Sequence, residues 1–459
     1  MSDVMSAAIQ YARSHQDRFL EELMTLTAIP SVSTSPEARG DMQRAAQWIA
    51  AHMRSVGLDQ VQVMPTAGHP VVFGEWLKAG AQAQTVLVYG HYDVQPAEPL
   101  ELWTSPAFDP QVRGENLYGR GVTDMKGQFL AVIDAIEAIL KTGHLPVNVK
   151  FLIEGEEEIG SPSLGDFMAA HRDLLACNVA LNTDTGIFSQ EQPSITYALR
   201  GLAYFELRVF GPDHDLHSGL FGGIVNNPAQ VLCELIAGMH DKQGRITLPG
   251  FYDRVRPLSE AERQELARLP VHEATYLKQT GAPALWGETG FSPVERLGAR
   301  PTLEVNGLLS GFTGEGSKTV LPSKAMAKIS MRLVPDQDPD EVHQQLLRYL
   351  EGHAPQTVRW EVTSLAGGTA SISERDSAGV RAMSSALEAV WGVRPVFRRE
   401  GGSVPVVADF KHYLGVESVN TGFSLPDDNM HAPDEKLHLP TWQRGIEALI
   451  YFFYNLAQQ

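Results

Sequence analysis

The first half of the chain alternates short apolar runs with segments in which apolar residues recur at helical spacing. The apolar runs predict buried strands at 85–90, 149–155 and 178–184. Between the first two, apolar residues recur every three or four positions from Phe129 to Leu140, and Gly143 stands where this predicted helix should stop. Strands that alternate with helices are typical of an α/β domain with a mainly parallel sheet. We therefore predict that residues 1–194 form the first part of such a domain.

The pattern changes near Ile195. Apolar and polar residues alternate clearly from 195, as in a half-buried strand. Later segments predict, in order, a helix at 226–240, a strand at 324–335, a helix at 339–352 and a strand at 357–364. This order resembles a β-α-β-β-α-β, ferredoxin-like α+β domain, and residues 243–300 read as an insertion of loops and short helices within it. We predict that this inserted domain spans 195–394, and that 395–459 complete the first domain and end in a helix at 441–457.

Composition and charge narrow the class of protein. A chain of 459 residues with 43% hydrophobic content can bury a large core, which fits two or three domains. The net charge of −18 argues against nucleic acid or an anionic membrane surface as a partner, because both require concentrated Lys and Arg. Cys177 and Cys233 are too few for a disulfide framework. With no signal-like start and no apolar stretch of membrane-spanning length, we expect a cytoplasmic protein.

Acidic residues and histidines follow the predicted strands, where open α/β sheets bind their ligands. The segments are GHYDVQP with His91 and Asp93, GRGVTDMKG with Asp124, EGEEEIGS with Glu156 to Glu158, NTDTG with Asp184, and DDNMHAPDE with His431. Ions of the zinc class bind imidazole nitrogen and carboxylate oxygen, and a second carboxylate usually orients the ligating histidine. His91 and Asp93 suit these two roles. The sequence therefore favours a metal site at this edge of the sheet.

Each motif also has a simpler interpretation. His91 and Asp93 could belong to an ordinary strand-to-loop turn, and the three glutamates to a solvated acidic loop. Adjacent carboxylates nevertheless raise one another's pKa unless cations or solvent compensate. The segment GFTGEGSKT (311–319) resembles a phosphate-binding loop, but Ser317 stands where a lysine should follow Gly316, so we set it aside. H-E-x-x-H, G-x-S-x-G and paired C-x-x-C patterns are absent.

Taken together, the motifs resemble those of the M20 metallopeptidases, especially the carnosinase-like cytosolic dipeptidases, over nearly the whole chain. They occur in the family's order: GHYDVQP, LYGRGVTDMKGQ, EEEIGS, DLHSGLFGG, GSKTVLP, MRLVP, REGGSVP and HAPDEKL. The resemblance implies a catalytic α/β domain interrupted by a ferredoxin-like lid and dimerisation domain. It also implies hydrolysis of dipeptides or short peptides that have a free C-terminal carboxylate, by a metal-bridging water and a glutamate base.

The resemblance also implies individual roles. One ion would be held by His91, Asp124 and Asp184, and another by Asp124, Glu158 and His431, with Asp124 bridging both. Glu157 matches the general base, Asp93 the acid that orients His91, and His217 the histidine that contacts the developing oxyanion, whereas Glu156 has no assigned role. Arg332 and Ser403 match residues that receive the substrate carboxylate, and Asn306 matches a further substrate-binding position. Two divalent ions would balance three ligand carboxylates and one hydroxide; zinc is expected first, and manganese or cobalt would suit the same donors.

Two other functions remain open. An N-acyl amino acid hydrolase or desuccinylase of the same family would use the same metal site. An inactive homologue that binds metal or peptide belongs to a different class, but it would be expected to lack a ligand or the base, and none is missing. Taken alone, His217 could be a surface-loop histidine, Arg332 could form a salt bridge, and Ser403 could cap a helix. The resemblance further implies a homodimer through the inserted domain, and it motivates the prediction that His217 serves the active site of the neighbouring subunit, a choice that the sequence alone leaves open. The preferred substrate and the physiological metal are also left undecided.

Overall fold

The computed structural model describes residues 2–402 and 404–459, which form two compact units. The first unit comprises Met1–Tyr197, Ser373–Phe397 and Val406–Gln459, and the second comprises Ala198–Ile372 and Arg398–Pro405. The chain thus leaves the first unit at Ala198, returns at Ser373, and leaves it again for the short segment Arg398–Pro405.

The described residues form helices and strands in alternation over the first half of the chain. The strands are β1 (Asp59–Met64), β2 (Val71–Trp76), β3 (Thr85–His91), β4 (Gln111–Arg113), β5 (Asn116–Tyr118), β6 (Asn148–Glu154), β7 (Val179–Asn182), β8 (Ser194–Leu199), β9 (Gly201–Phe210), β10 (Leu216–His217), β11 (Thr302–Ser310), β12 (Val320–Leu321), β13 (Lys324–Leu333), β14 (Arg359–Gly368), β15 (Ser371–Ile372), β16 (Val396–Glu400), β17 (Ser418–Asn420) and β18 (Lys436–His438). The helices are α1 (Ser2–Ser14), α2 (Gln16–Thr27), α3 (Arg39–Val56), α4 (Gly127–Thr142), α5 (Leu164–Ala170), α6 (Arg172–Leu175), α7 (Ser218–Phe221), α8 (Pro228–Gly238), α9 (Glu260–Leu266), α10 (Glu273–Thr280), α11 (Pro293–Ala299), α12 (Pro339–His353), α13 (Ala378–Trp391), α14 (Pro405–Asp409) and α15 (Leu439–Leu456). None of the described helices is both long and apolar enough to cross a bilayer.

The first unit is built on a sheet in the order β1-β2-β6-β3-β7-β17-β8. The four central strands β6, β3, β7 and β17 are parallel to one another, whereas β2 and β8 pair antiparallel with their neighbours. Every residue of β6 and β7 is buried, because a parallel sheet of this kind is covered on both faces. Such strands favour apolar runs over alternation, and a buried polar residue such as Lys150 of β6 has hydrogen-bond partners of its own.

Neighbouring residues of β3 identify the two covered faces. The ring of Tyr89 packs edge-on against Phe410, with centroids 5.8 Å apart. Gly90 points to the other face, where a Cβ atom would lie 2.7 Å from the Cβ of Phe129 on α4. The backbone of β3 thus lies close against α4, whose residues are buried from Gly127 to Ile139. The helix ends at Thr142 before Gly143, as predicted.

The second unit has the predicted ferredoxin-like arrangement. Its antiparallel sheet runs in the order β11-β13-β9-β14, and α8 and α12 pack their apolar residues into its core. Numbered within the unit, the strand order is 4-1-3-2 when read from β14, and the chain follows a β-α-β-β-α-β path. The segment 243–300 contains the short helices α9, α10 and α11. The predicted fold class is confirmed in both units.

Residues 373–394 lie in the first unit, although the sequence pattern placed them in the inserted domain. They contain α13, which packs against α15. A Cβ atom at Gly379 would lie 2.7 Å from Val419 and 2.9 Å from Val179, both on central strands of the large sheet. The apolar face of α13 shows that the helix packs on a core, but it does not identify which of the two cores.

Candidate metal centre

The predicted site residues meet at the carboxyl ends of the parallel strands. His91 ends β3, Glu157 and Glu158 follow the end of β6, and Asp184 lies two residues beyond β7. Because β6 and β7 both pair with β3, these three chain segments lie side by side. Two loops complete the arrangement: Asp124 lies in the turn Val122–Lys126, in which its own backbone is not helical, and His431 follows β17.

The side chains form two groups of possible metal ligands that share Asp124. The first group contains His91, Asp124 and Asp184, and the second contains Asp124, Glu158 and His431; within each group the ligand atoms lie within 4.8 Å of one another. The Nε2 atom of His91 lies 3.2 Å from Oδ1 of Asp124, whereas Nε2 of His431 lies 2.9 Å from its Oδ2. Asp124 therefore presents one oxygen to each group, which is the arrangement required of a carboxylate that bridges two ions.

The electrostatics of the cluster indicate a need for positive charge. Burial raises the pKa of Glu157 to about 9, with a lowering effect from His91 and further increases from Asp184 and Asp124. Burial and the Asp124 carboxylate raise the pKa of Glu158 to about 7. Protein groups alone thus leave these glutamates poorly compensated, and divalent cations would supply the missing charge. Imidazole and carboxylate donors are the set that zinc, manganese and cobalt accept.

Asp93 contacts both sides of the cluster. Its Oδ1 atom lies 3.4 Å from Nδ1 of His91, and its backbone carbonyl lies 3.0 Å from the same nitrogen. Its two carboxylate oxygens also accept the backbone N–H groups of Glu157, at 3.2 Å, and Glu158, at 3.1 Å. Asp93 therefore fixes the glutamate pair as well as the imidazole. The sequence suggested only the contact of Asp93 with His91, because a hydrogen bond to a distant backbone N–H leaves no residue pattern.

Two further residues that were not predicted support the ligand atoms. The side-chain amide of Gln95 donates to Oε2 of Glu158 at 2.8 Å. Glu435 is fully buried, pairs with Arg120 at 2.8 Å, and accepts the backbone N–H of Asp124 at 3.2 Å. Glu435 also accepts the N–H groups of Gly121 and Thr123, so it holds the turn that carries Asp124. Both residues lie within motifs already recognised, GHYDVQP and HAPDEKL, but neither adjoins a predicted ligand in sequence.

Glu156 has a structural role. It is 4% exposed, and its oxygens accept the backbone N–H groups of His69 at 3.0 Å and Ser163 at 3.2 Å. Its carboxylate is thus occupied by the loop backbone, and it belongs to neither ligand group. The first of the three glutamates therefore shapes the loop that presents the other two.

Three of the remaining predicted residues, His217, Asn306 and Arg332, belong to the second unit. His217 ends β10, is exposed, and accepts the N–H of Gly219 on its Nδ1 atom at 3.0 Å. Arg332 on β13 and Asn306 on β11 line one cavity of about 500 Å³ within this unit. Ser403 lies outside the described residues. The glycine-rich segment 311–319 leads into β12 rather than into a helix, so it lacks the helix N-terminus of a phosphate-binding loop.

A parallel sheet whose carboxyl edge carries two histidine–carboxylate groups with one shared aspartate defines a candidate dinuclear metalloenzyme. The chain belongs to peptidase family M20/M25/M40, whose family model matches residues 87–455. It is 32% identical to human Beta-Ala-His dipeptidase over 99% of this chain and 93% of the relative. It is 31% identical to the Cys-Gly metallodipeptidase DUG1 of Candida albicans over 94% of this chain and 93% of the relative.

A solved structure shares the complete fold. The M20 family metallo-carboxypeptidase Sso-CP2 from Sulfolobus solfataricus superposes with a TM-score of 0.84 and 30% identity, over 96% of this chain and 99% of that chain. The predicted family is therefore confirmed, and the chain is a metallopeptidase, an enzyme that hydrolyses peptide bonds.

Proposed function

We propose that the enzyme hydrolyses dipeptides and other short peptides that have a free C-terminal carboxylate. The observation that carries the proposal is Asp124, whose two oxygens face two separate ligand groups. The relatives named as Beta-Ala-His dipeptidase and Cys-Gly metallodipeptidase support a dipeptide as the substrate.

Two divalent ions would occupy the two ligand groups, zinc first, with manganese or cobalt as alternatives. His91, Asp124 and Asp184 would hold one ion, and Asp124, Glu158 and His431 the other. Ions bound in this way lower the pKa of a shared water and polarise the scissile carbonyl. The ligand set supports this assignment because its three carboxylates and two imidazoles leave the site short of positive charge.

Glu157 would act as the general base. It lies beside the ligands but belongs to neither group, and Asp93 holds its backbone N–H. Its carboxylate can therefore accept a proton and pass it to the leaving amine. Burial raises the pKa of this carboxylate, and the positive charge of the two ions would oppose that effect and leave it ionised for the first of these steps.

His217 would stabilise the oxyanion that develops on the scissile carbonyl. Its Nδ1 atom accepts the N–H of Gly219, so a neutral ring carries its proton on Nε2. That N–H is a suitable donor for a developing oxyanion. Arg332, Ser403 and Asn306 would recognise the peptide; the shared cavity of Arg332 and Asn306 and the charge of Arg332 support binding of a carboxylate.

We also propose that the second unit forms a homodimer. The strand β11 lies at an edge of its sheet, and it carries Val305, Leu308 and Leu309, which are 41%, 57% and 56% exposed. Apolar side chains on an unpaired edge favour pairing with an identical edge around a two-fold axis.

Both cysteines are free, which supports the predicted cytoplasmic location.

The test is a panel of dipeptides, their C-terminal amides, and N-acetyl and N-succinyl amino acids, assayed with metal-reconstituted enzyme. We expect dipeptides to be cleaved with the highest kcat/KM and the amides poorly, because the amide lacks the charge that Arg332 would bind. Preference for the acyl amino acids would favour the N-acyl hydrolase, whereas no hydrolysis of any substrate would favour an inactive homologue.

A further inference from the structure

A second cluster of potential metal ligands lies among the helices of the first unit. It consists of Glu22 on α2, His52 on α3 and Asp134 on α4, and one ligand atom from each lies within 4.8 Å of the others. None of these residues belongs to the metal centre at the sheet edge. Three different helices therefore bring one imidazole and two carboxylates to the same point.

The donor atoms of this cluster are buried without partners. Asp134 is 0% exposed, and neither of its carboxylate oxygens has a hydrogen-bond partner among residues 2–402 and 404–459. The same holds, within those residues, for Oε2 of Glu22 and for Nε2 of His52. Buried carboxylates and imidazoles normally have partners, because an unsatisfied polar group loses its hydration without compensation. Four potential metal-binding atoms without partners in one place indicate that a bound species belongs between them.

The surrounding charges specify the sign of that ligand. Arg18 is the partner of both Glu22, at 2.7 Å, and Glu137, so one cation already pairs with two carboxylates. Burial raises the pKa of Asp134 well above its usual value, and the carboxylates of Glu22 and Glu137 raise it further. A bound cation would favour the ionised form, and the group would then carry three negative charges and one positive charge. A divalent cation would make it neutral. Burial also lowers the pKa of His52 to about 4, which keeps the imidazole neutral and its nitrogen available as a ligand.

The geometry of His52 favours a transition metal. Its ring stacks on Trp48, with centroids 5.0 Å apart and an interplanar angle of 16°. Stacking restrains the plane of the ring and so limits the directions that Nε2 can take. Magnesium and calcium prefer oxygen donors, whereas imidazole together with carboxylate suits zinc or manganese.

We propose that Glu22, His52 and Asp134 bind a divalent cation of the zinc class that is separate from the catalytic centre and cross-links α2, α3 and α4. The ligand atoms are close enough to converge on one ion, at about 2.0–2.2 Å each, by small side-chain rotations. The site would take no part in catalysis. It would stabilise the helices that cover the sheet.

Zinc content of the full-length, zinc-reconstituted chain tests the site. We expect about three zinc ions per chain in the wild type and about two in Asp134→Asn. Asparagine has the shape of a protonated aspartic acid, so a site without metal would leave zinc content and Tm unchanged by this substitution. Wild-type protein with two ions, or equal zinc content in both proteins, would overturn the proposal.

A second comparison separates this site from the catalytic one and does not depend on one variant. In an Asp124→Ala and Glu158→Ala background, which removes ligands from both catalytic ions, about one zinc ion should remain and should be lost when Glu22→Gln is added. The matched control is Glu21→Gln, which removes the same charge from an exposed neighbouring position on α2. Retention of that ion in Glu22→Gln, or its equal loss in Glu21→Gln, would contradict the assignment. If the wild type binds two ions and the Asp124→Ala, Glu158→Ala variant binds none, the proposed site does not exist. That result would leave the catalytic centre unaffected.

Discussion

At the scale of single residues, the candidate metal ligands were more predictable than the groups that position them. His91, Asp124, Glu158, Asp184 and His431 stand in short motifs after strands, and the structure brings all of them to one edge of the sheet. The supporting contacts of Gln95 and Glu435 could not be predicted, because they depend on loops that approach one another only after folding. The Glu22, His52 and Asp134 cluster was also missed, because its members lie on three helices with no shared motif.

Asp93 offers a prediction at this scale. Asn at position 93 keeps one acceptor oxygen but replaces the other with a donor, so one of the N–H groups of Glu157 and Glu158 loses its partner. We expect Asp93→Asn to lower kcat/KM or metal affinity roughly 10- to 100-fold, as for other residues that orient metal ligands. Steady-state kinetics and zinc titration measure this. Unchanged values in both would show that Asp93 does not position the pair.

At the scale of elements, the alternation of strands and helices was predictable, and the assignment of helices to a core was not. The predicted strands at 85–90 and 149–155 correspond to β3 and β6 within one residue at each end. The predicted inserted domain, 195–394, included the residues that form α13, although Gly379 of that helix packs against β7 and β17. Periodicity identifies an apolar helix face, whereas only the folded chain specifies the sheet that covers it.

The contact of β3 with α4 offers a prediction about packing. In Gly90→Ala the new Cβ atom would lie 2.7 Å from the Cβ of Phe129, so the strand and the helix must separate. We expect the free energy of unfolding to fall by about 1–3 kcal/mol, as for other overpacked cores. Urea denaturation measures the change.

The matched control for that prediction is Gly40→Ala. Gly40 lies in α3, and a Cβ atom there would meet nothing within 4 Å. Alanine should therefore stabilise the helix by about 0.5–1 kcal/mol. A Gly90→Ala protein as stable as the wild type would contradict the close packing of β3 on α4.

At the scale of the whole molecule, the two-unit organisation follows from the change in sequence pattern near Ile195, and the fold class was predicted from it. The residue at which the chain returns to the first unit was not predicted, because no change in composition marks the passage from β14 and β15 to α13. The sequence implies a homodimer only through its resemblance to the family, and the structure adds the exposed apolar residues of β11 as support for that proposal.

Mixed dimers test the proposed assembly. We expect His217 of each subunit to serve the centre of its partner, so co-expressed Glu157→Gln and His217→Ala chains should regain activity in mixed dimers. One of the two sites in such a dimer has both residues intact. Random pairing makes about half of the dimers mixed, so roughly a quarter of wild-type activity should return. No recovery in a verified mixed dimer would exclude sharing, and a monomer in solution would remove its basis.

The most direct test of the catalytic account compares metal content and turnover in Glu157→Gln. Because Glu157 is assigned as a base and belongs to neither ligand group, the variant should keep the wild-type number of ions while turnover falls by roughly 10²- to 10⁴-fold. Glu158→Gln is the matched control; it alters a ligand and should lose an ion. Elemental analysis alongside dipeptide hydrolysis measures both quantities. Loss of an ion from Glu157→Gln, or near-normal turnover with all ions retained, would contradict the account.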